Sequence, residues 1–454
     1  MLRLPWLALA ALVAACAGPS IAPAVPRDVA YVVVGPDGRA TARLITASAT
    51  CPPLIVDGVS QAMTLRRAAG TVAQRTSVTP SALSKAAAFP VTTCELAISR
   101  DAHRAVHAGR DLPLPKTQPR RIVVLGDTGC RILGPADAQP CDDPARWPFV
   151  RVARAAAATH PDLVIHVGDY HYRESPCPPV SDGCRDSPWG YGWDAWSADL
   201  FTPARPLLET APWIVVRGNH EMCDRAGQGW WRFLDPRPLE RGRDCDDARD
   251  DATGDVSEPY AVPLGTGWRA LVFDSASAGN APIAPDGALF RTYREQMERL
   301  LSASESSAWF LSHHPPLAFA ANPSRPLSPY PGNATLLSVL RSVNGEAYFP
   351  PHVKLLVAGH NHVFEAVSFA SGHPPQLVAG HGGDTLDEPL PSPFPPDLAP
   401  APGTVLAGLV SSQRFGYLVA DRDGDAWSVR AYDIDGATLA TCALDGRDMR
   451  CASR

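Results

Sequence analysis

Arg121-Ile122-Val123-Val124-Leu125-Gly126-Asp127-Thr128-Gly129 is the stretch on which the reading of this chain turns. Ile122 to Leu125 is a short apolar, largely β-branched run, and it predicts a buried strand that delivers Asp127 at its C-terminal end. The arrangement recurs. Leu163 to Val167 precedes Gly168-Asp169-Tyr170-His171-Tyr172, and Trp213 to Val216 precedes Gly218-Asn219-His220-Glu221. Ala308 to Leu311 precedes Ser312-His313-His314-Pro315, and Leu355 to Ala358 precedes Gly359-His360-Asn361-His362. Five strands are thus expected to point polar residues at one sheet edge, where loops vary while the sheet stays rigid. The glycines before Asp127, Asp169, Asn219 and His360 are expected to permit sharp turns or positive φ as each strand ends. Helix-like stretches at Trp147 to Ala158, Asp194 to Leu208 and Leu289 to Ser302 alternate with the strands, so the fold class is α/β.

Asp127, Asp169, Tyr172, Asn219, His313, His360 and His362 offer seven oxygen and nitrogen donors. The mixture of carboxylate, phenol and imidazole suits two adjacent first-row cations and needs no cysteine. Such a pair, roughly 3.5 to 4 Å apart, clamps a phosphoryl group and brings the pKa of a shared water near neutrality, which is hydrolase chemistry.

These five motifs, in this order, resemble the calcineurin-like metallophosphoesterase superfamily and, within it, the purple acid phosphatases with their pattern GDxG, GDxxY, GNH(E/D), VxxH, GHxH. Phe310 stands where the fourth motif has valine, and Gly129 stands where most of the superfamily has a histidine, with Tyr172 taking that place. The resemblance implies a four-layer α/β/β/α sandwich with a small N-terminal β-sandwich domain. It implies that Asp127, Asp169, Tyr172 and His362 bind metal one, that Asp169 bridges, and that Asn219, His313 and His360 complete metal two. The ligand position two residues before the first proline selects His313 over His314. A phenolate ligand at Tyr172 implies Fe(III), paired with Fe, Zn or Mn. The reaction implied is cleavage of phosphate monoesters of a small phosphorylated substrate by a metal-activated hydroxide. A phosphodiesterase or nucleotide hydrolase with the same site is the near alternative. A non-catalytic envelope binding lipoprotein is the distant one, and the complete ligand set argues against it.

His220 is expected beside the phosphate or the leaving oxygen, with Glu221 orienting its ring. The loop after His313 reads Ala318-Phe319-Ala320-Ala321-Asn322 and lacks the histidine that purple acid phosphatases usually place there, so the general acid is open among His220, His314 and His381. His166 reads as a hydrogen-bonded core residue. His171, on the opposite side of an extended chain from Tyr172, reads as a surface or substrate-contacting residue.

The net charge of −6 gives no basic footprint for nucleic acid. Residues 1 to 16 read as an export signal, and Val13-Ala14-Ala15-Cys16 resembles a bacterial lipobox in which Cys16 would carry a lipid anchor; an ordinary signal peptide cleaved nearby is the alternative. The expected location is therefore periplasmic or cell-envelope, with membrane contact only through that anchor. Ten further cysteines fall into neighbouring couples: Cys51 with Cys94, Cys130 with Cys141, Cys177 with Cys184, Cys223 with Cys245, and Cys442 with Cys451. Residues 28–113 show short β-like runs without catalytic motifs and are expected to form the β-sandwich. Residues 119–435 are expected to form the catalytic domain and 436–454 a C-terminal extension. The tryptophan-rich segment Ser175 to Trp196 reads equally as substrate wall or packing, and Pro389 to Pro402 as a surface loop near the metal side.

Overall fold

A computed structural model describes residues 28–134 and 136–453, so the export signal and Cys16 lie outside the described residues. Two large sheets lie face to face. The first has eleven strands, running from Asp448–Ser453 at one edge through Arg121–Leu125, Leu163–His166 and Trp213–Val215 to Thr64–Arg67 at the other. The second has seven, with Trp268–Val272, Ser307–Leu311, Val353–Ala358 and Gln376–Ala379 parallel at its centre.

Side-chain alternation explains the layering. Ile122 and Val124 turn inward to Trp309, Leu311, Leu355 and Val357 of the second sheet, forming the core between the sheets. Val123 and Leu125, one residue along, turn outward to Phe149, Val152 and Ala156 of the helix Phe149–Ala158. On the far side, Phe310 and Leu356 meet Phe290, Tyr293 and Met297 of the helix Ala288–Leu300 and Leu336 and Leu340 of the helix Ala334–Asn344. The result is the expected α/β/β/α sandwich.

The stretch expected as one helix from Asp194 to Leu208 is broken into Trp193–Trp196, a wider turn Ser197–Phe201, and Arg205–Leu208. Pro203 and Pro206 lack the N–H that a continuous helix needs. A second departure concerns the site. The five motif-bearing strands do not meet at one sheet edge: three belong to the first sheet and two to the second, so the motifs gather where the C-terminal ends of both sheets converge.

The N-terminal β-sandwich is present, but its inner layer is continuous with the first sheet. Val29–Val34 pairs in parallel with Trp213–Val215, placing Val33 opposite Trp213. Val32, Ala42, Leu44 and Cys94 of that layer pack against Leu54, Val56, Ala105 and Leu112 of a four-stranded outer sheet. Arg43 and Arg66 cross from these strands to the carbonyls of Phe233 (3.0 Å) and Trp231 (2.9 Å). Residues Thr438–Asp445 and Asp448–Ser453 extend the opposite edge of the same sheet. All five expected cysteine couples are disulfide-bonded. No helix among the described residues is long and apolar enough to cross a membrane.

Candidate metal centre

The seven expected donors converge in one place. Asp169 Oδ2 lies 2.8 Å from the Tyr172 hydroxyl and 3.1 Å from His313 Nε2. Tyr172 Oη lies 3.3 Å from Asp127 Oδ1 and 3.0 Å from His362 Nε2. Asn219 Oδ1 lies 3.1 Å from both His313 Nε2 and His360 Nδ1. Asp169, His313 and His360 offer ligand atoms all within 4.8 Å of one another.

Hydrogen counting tests whether this set fits a cation. His313 Nδ1 lies 2.9 Å from the Val167 carbonyl, which only accepts, so that nitrogen carries the hydrogen. In the neutral ring, Nε2 then presents a lone pair to Asn219 Oδ1 and Asp169 Oδ2, both acceptors. His362 repeats the pattern, with Nδ1 donating to the Thr385 carbonyl at 2.8 Å and Nε2 turned toward Asp127 and Tyr172. Lone pairs facing one another repel unless a proton or a cation lies among them. Without a metal the histidines take up protons: burial alone would lower His313, but Asp169 lifts it to about 9, and Asp384 and Asp127 lift His362 against the same burial to about 10. Donors fixed by outer acceptors and aimed at a shared space are a metal-ligand arrangement. The residues fit a cation.

The backbone that holds them differs from expectation. Positive φ falls on Asp127 (55°), Asp169 (56°) and His360 (68°) themselves, with Gly168 the one glycine of the four to share it. This strained conformation in non-glycine residues is a mark of functional loops. Gly218 serves close approach instead, since a Cβ there would lie 2.1 Å from Asp169 Oδ1.

Glu221 does not orient His220. Its buried carboxylate accepts N–H bonds from Gly218 (3.1 Å), Asp169 (3.1 Å), Tyr170 (2.9 Å) and His171 (3.3 Å), clamping the loop that carries Asp169 and Tyr172. Glu174 takes the expected place, 2.7 Å from His220 Nδ1, while Arg225 Nη2 lies 2.7 Å from the same nitrogen and 2.5 Å from Glu174. Burial would raise the Glu174 carboxyl, but Arg225 and His220 hold it down to about 2. His220 Nε2 lies 2.9 Å from Arg225 Nη2 and 3.9 Å from Asp169 Oδ2.

Of the other histidines, His314 lies beside the centre, its ring 4.1 Å from that of His360 and its Nδ1 3.3 Å from Ser275 Oγ. Burial, with the neighbouring charge of His313, lowers it to about 3. His381 makes no hydrogen bond to any of the seven; its ring packs against Phe364, and both ring nitrogens lack partners among the described residues. His171 is not at the surface but fully buried against Tyr191 and Trp196. His166 is a core residue as expected, bonded to Thr128 Oγ1 at 3.0 Å and stacked on Tyr170. Trp196 is buried and Trp193 packs on Phe201 and Phe233, so these two tryptophans pack the core.

Sequence reasoning missed the outer partners. Arg131 pairs with Asp384 at 2.7 Å and lies 5.4 Å over the Tyr172 ring, and Asp387 accepts the His362 N–H at 2.8 Å. Ser275 Oγ accepts the N–H groups of His313 (3.1 Å) and His314 (3.0 Å). Ser275 and Asp384 had a signal, since each follows a buried apolar strand, Trp268–Val272 and Gln376–Ala379.

A model of the calcineurin-like phosphoesterase family matches residues 120–364. A purple acid phosphatase from yellow lupin (Lupinus luteus) seeds is similar in structure, with a TM-score of 0.55 at 14% identity over 94% of this chain and 74% of that one. PhoD is similar with a TM-score of 0.56 at 12% identity over 94% of this chain and 91% of that one. Likenesses at such identity speak for the fold. No curated protein sequence matches the chain.

Proposed function

The chain belongs to the calcineurin-like phosphoesterase family and is a metal-dependent phosphoric ester hydrolase, and on that premise we propose that it is an exported dinuclear phosphohydrolase acting on phosphate monoesters. Asp127, Asp169, Tyr172 and His362 would hold one metal, and Asn219, His313 and His360, with Asp169 shared, would hold the second. The observation that carries this is the set of lone pairs facing inward from Asn219, His313 and Asp169, with the outer nitrogen of His313 tied to a carbonyl. When bound, the two cations supply Lewis-acid polarisation of the phosphoryl oxygens and an acidified water.

The protein's own residues do the rest. The positive-φ turns at Asp127 and Asp169 bring two carboxylates into a space walled by both sheets. Tyr172 is held protonated by burial and by the charges of Asp169 and Asp127, so its service as a ligand calls for a strongly polarising cation, Fe(III) paired with Fe, Zn or Mn. His220, held by Glu174 and Arg225 with Nε2 toward the centre, protonates the leaving alcohol; His314 is the second candidate. Five disulfides are the mark of an oxidising compartment, which agrees with export; residues 28–113 form an N-terminal unit and Cys16 the point of lipid attachment. The deciding experiment compares purified, metal-loaded protein on an aryl monoester, the matching bis-aryl diester and nucleotides. Turnover of the monoester above the other two is expected, and faster diester turnover would overturn the monoester reading.

A further inference from the structure

The N-terminal unit touches the catalytic unit beside His220. Val78 N–H donates to the Asp224 carbonyl at 3.2 Å, and a narrow crevice separates Arg75, Ser77 and Lys85 of that unit from Tyr191, Asp224 and Arg225. At the inner end of this contact Thr79 Oγ1 lies 2.9 Å from the Tyr191 hydroxyl, which lies 3.1 Å from Glu174 Oε2. The other oxygen of the same carboxylate is the one on His220 Nδ1. Thr79, Tyr191 and Glu174 are all buried.

We infer that Thr79 and Tyr191 are positioning residues for His220, so that the N-terminal unit is part of the catalytic apparatus. The polarity of the chain is fixed by donor counting. A carboxylate only accepts, so Tyr191 donates its one hydrogen to Glu174, and its oxygen accepts the hydrogen of Thr79. Glu174 Oε1 already meets both Arg225 and His220, so with Oε2 free the carboxylate could rotate about its last bond and follow Arg225 alone. Tyr191 removes that freedom by holding Oε2. The plane of the carboxylate, with Arg225 Nη2 2.9 Å from Nε2, then sets the orientation of the His220 ring, whose Nε2 lies 3.9 Å from Asp169 Oδ2. Hydrogen bonds away from water are strong and directional, which suits a relay three side chains long.

This inference rests on the proposed role of His220 in protonating the leaving group, and the test separates the two. Metal-loaded full-length protein is assayed on an activated aryl phosphate, whose phenolate leaves unaided, and on an alkyl phosphate, whose alkoxide needs a proton. His220→Asn is the reference and should slow the alkyl ester far more than the aryl ester. Tyr191→Phe should lower kcat on the alkyl ester about tenfold, the order of one hydrogen bond to a charged group, with less than about twofold on the aryl ester and KM unchanged. Thr79→Val should act in the same direction more weakly, and Thr79→Ser, which keeps the hydroxyl, should restore wild-type behaviour. If His220→Asn itself shows no leaving-group bias, the role of His220 falls. If it does, while Tyr191→Phe and Thr79→Val slow both esters equally or neither, the relay is refuted and the contact is one of packing alone.

Discussion

Glu221→Gln tests the clamp beneath the Asp169 carboxylate. The wild-type carboxylate receives four backbone N–H bonds, two on Oε2 from Gly218 and Asp169 and two on Oε1 from Tyr170 and His171. A glutamine is the same size but keeps one acceptor. Whichever way the amide turns, its NH2 faces two N–H donors, so two buried donors are left unpaired at about 1 to 3 kcal/mol each. The expected cost is about 2 to 6 kcal/mol, a large share of the ~5 to 15 kcal/mol that holds a typical domain. Part of that cost is relieved by opening the 168–172 loop, which carries Asp169 and Tyr172, so metal affinity falls with stability. Thermal unfolding, metal content after dialysis and monoester turnover are measured on one preparation. The expected variant has a lower Tm, retains less metal, and recovers activity in excess metal, since binding to the native state alone restores it by mass action. Unchanged Tm and metal content would refute the clamp. A selective loss on alkyl esters with full metal content would return Glu221 to the role of orienting His220.

Asp169→Ala should abolish both metal retention and turnover, because the one carboxylate faces Tyr172, His220 and His313 together; near-native metal content with normal activity would end the two-metal proposal. Iron-loaded protein should be coloured by a phenolate-to-iron charge-transfer band, and Tyr172→Phe should remove it; a band that persists unchanged shows that Tyr172 is no ligand. Metal-free protein should lose stability as pH rises. His313 moves up from its ordinary value of about 6.5 to about 9, so its contribution is complete below 6.5 and is lost as pH climbs through 9, roughly 3 kcal/mol in all. Urea unfolding of metal-free protein at pH 6 and pH 10 measures this, and a flat profile, or one unaltered by His313→Gln, contradicts the assignment.

The strands at Ile122, Leu163, Trp213, Ala308 and Leu355 are legible in the chain because a buried strand needs consecutive apolar residues and its end needs a turn, both local requirements, whereas the choice of the seven donors behind them came from the resemblance of the five motifs to a known family. The five disulfides each join one cysteine to the next along the chain, 7 to 43 residues apart, as the couples had been expected. What only the tertiary structure decided was which side chains face one another. Glu221 follows His220 directly, yet its carboxylate turns back to the backbone of residues 169–171, while Glu174, from another loop, reaches the ring. His171 sits inside a motif but is packed away by Tyr191 and Trp196 from the segment that follows. The split of the motifs between two sheets, and the continuity of the N-terminal strands with one of them, follow from pairings such as Val33 with Trp213, across 180 residues of sequence. Local pattern sets what each segment forms, whereas hydrogen bonds and packing between distant segments set what a side chain meets, and in this protein the outer partners of the metal centre belong to the second kind.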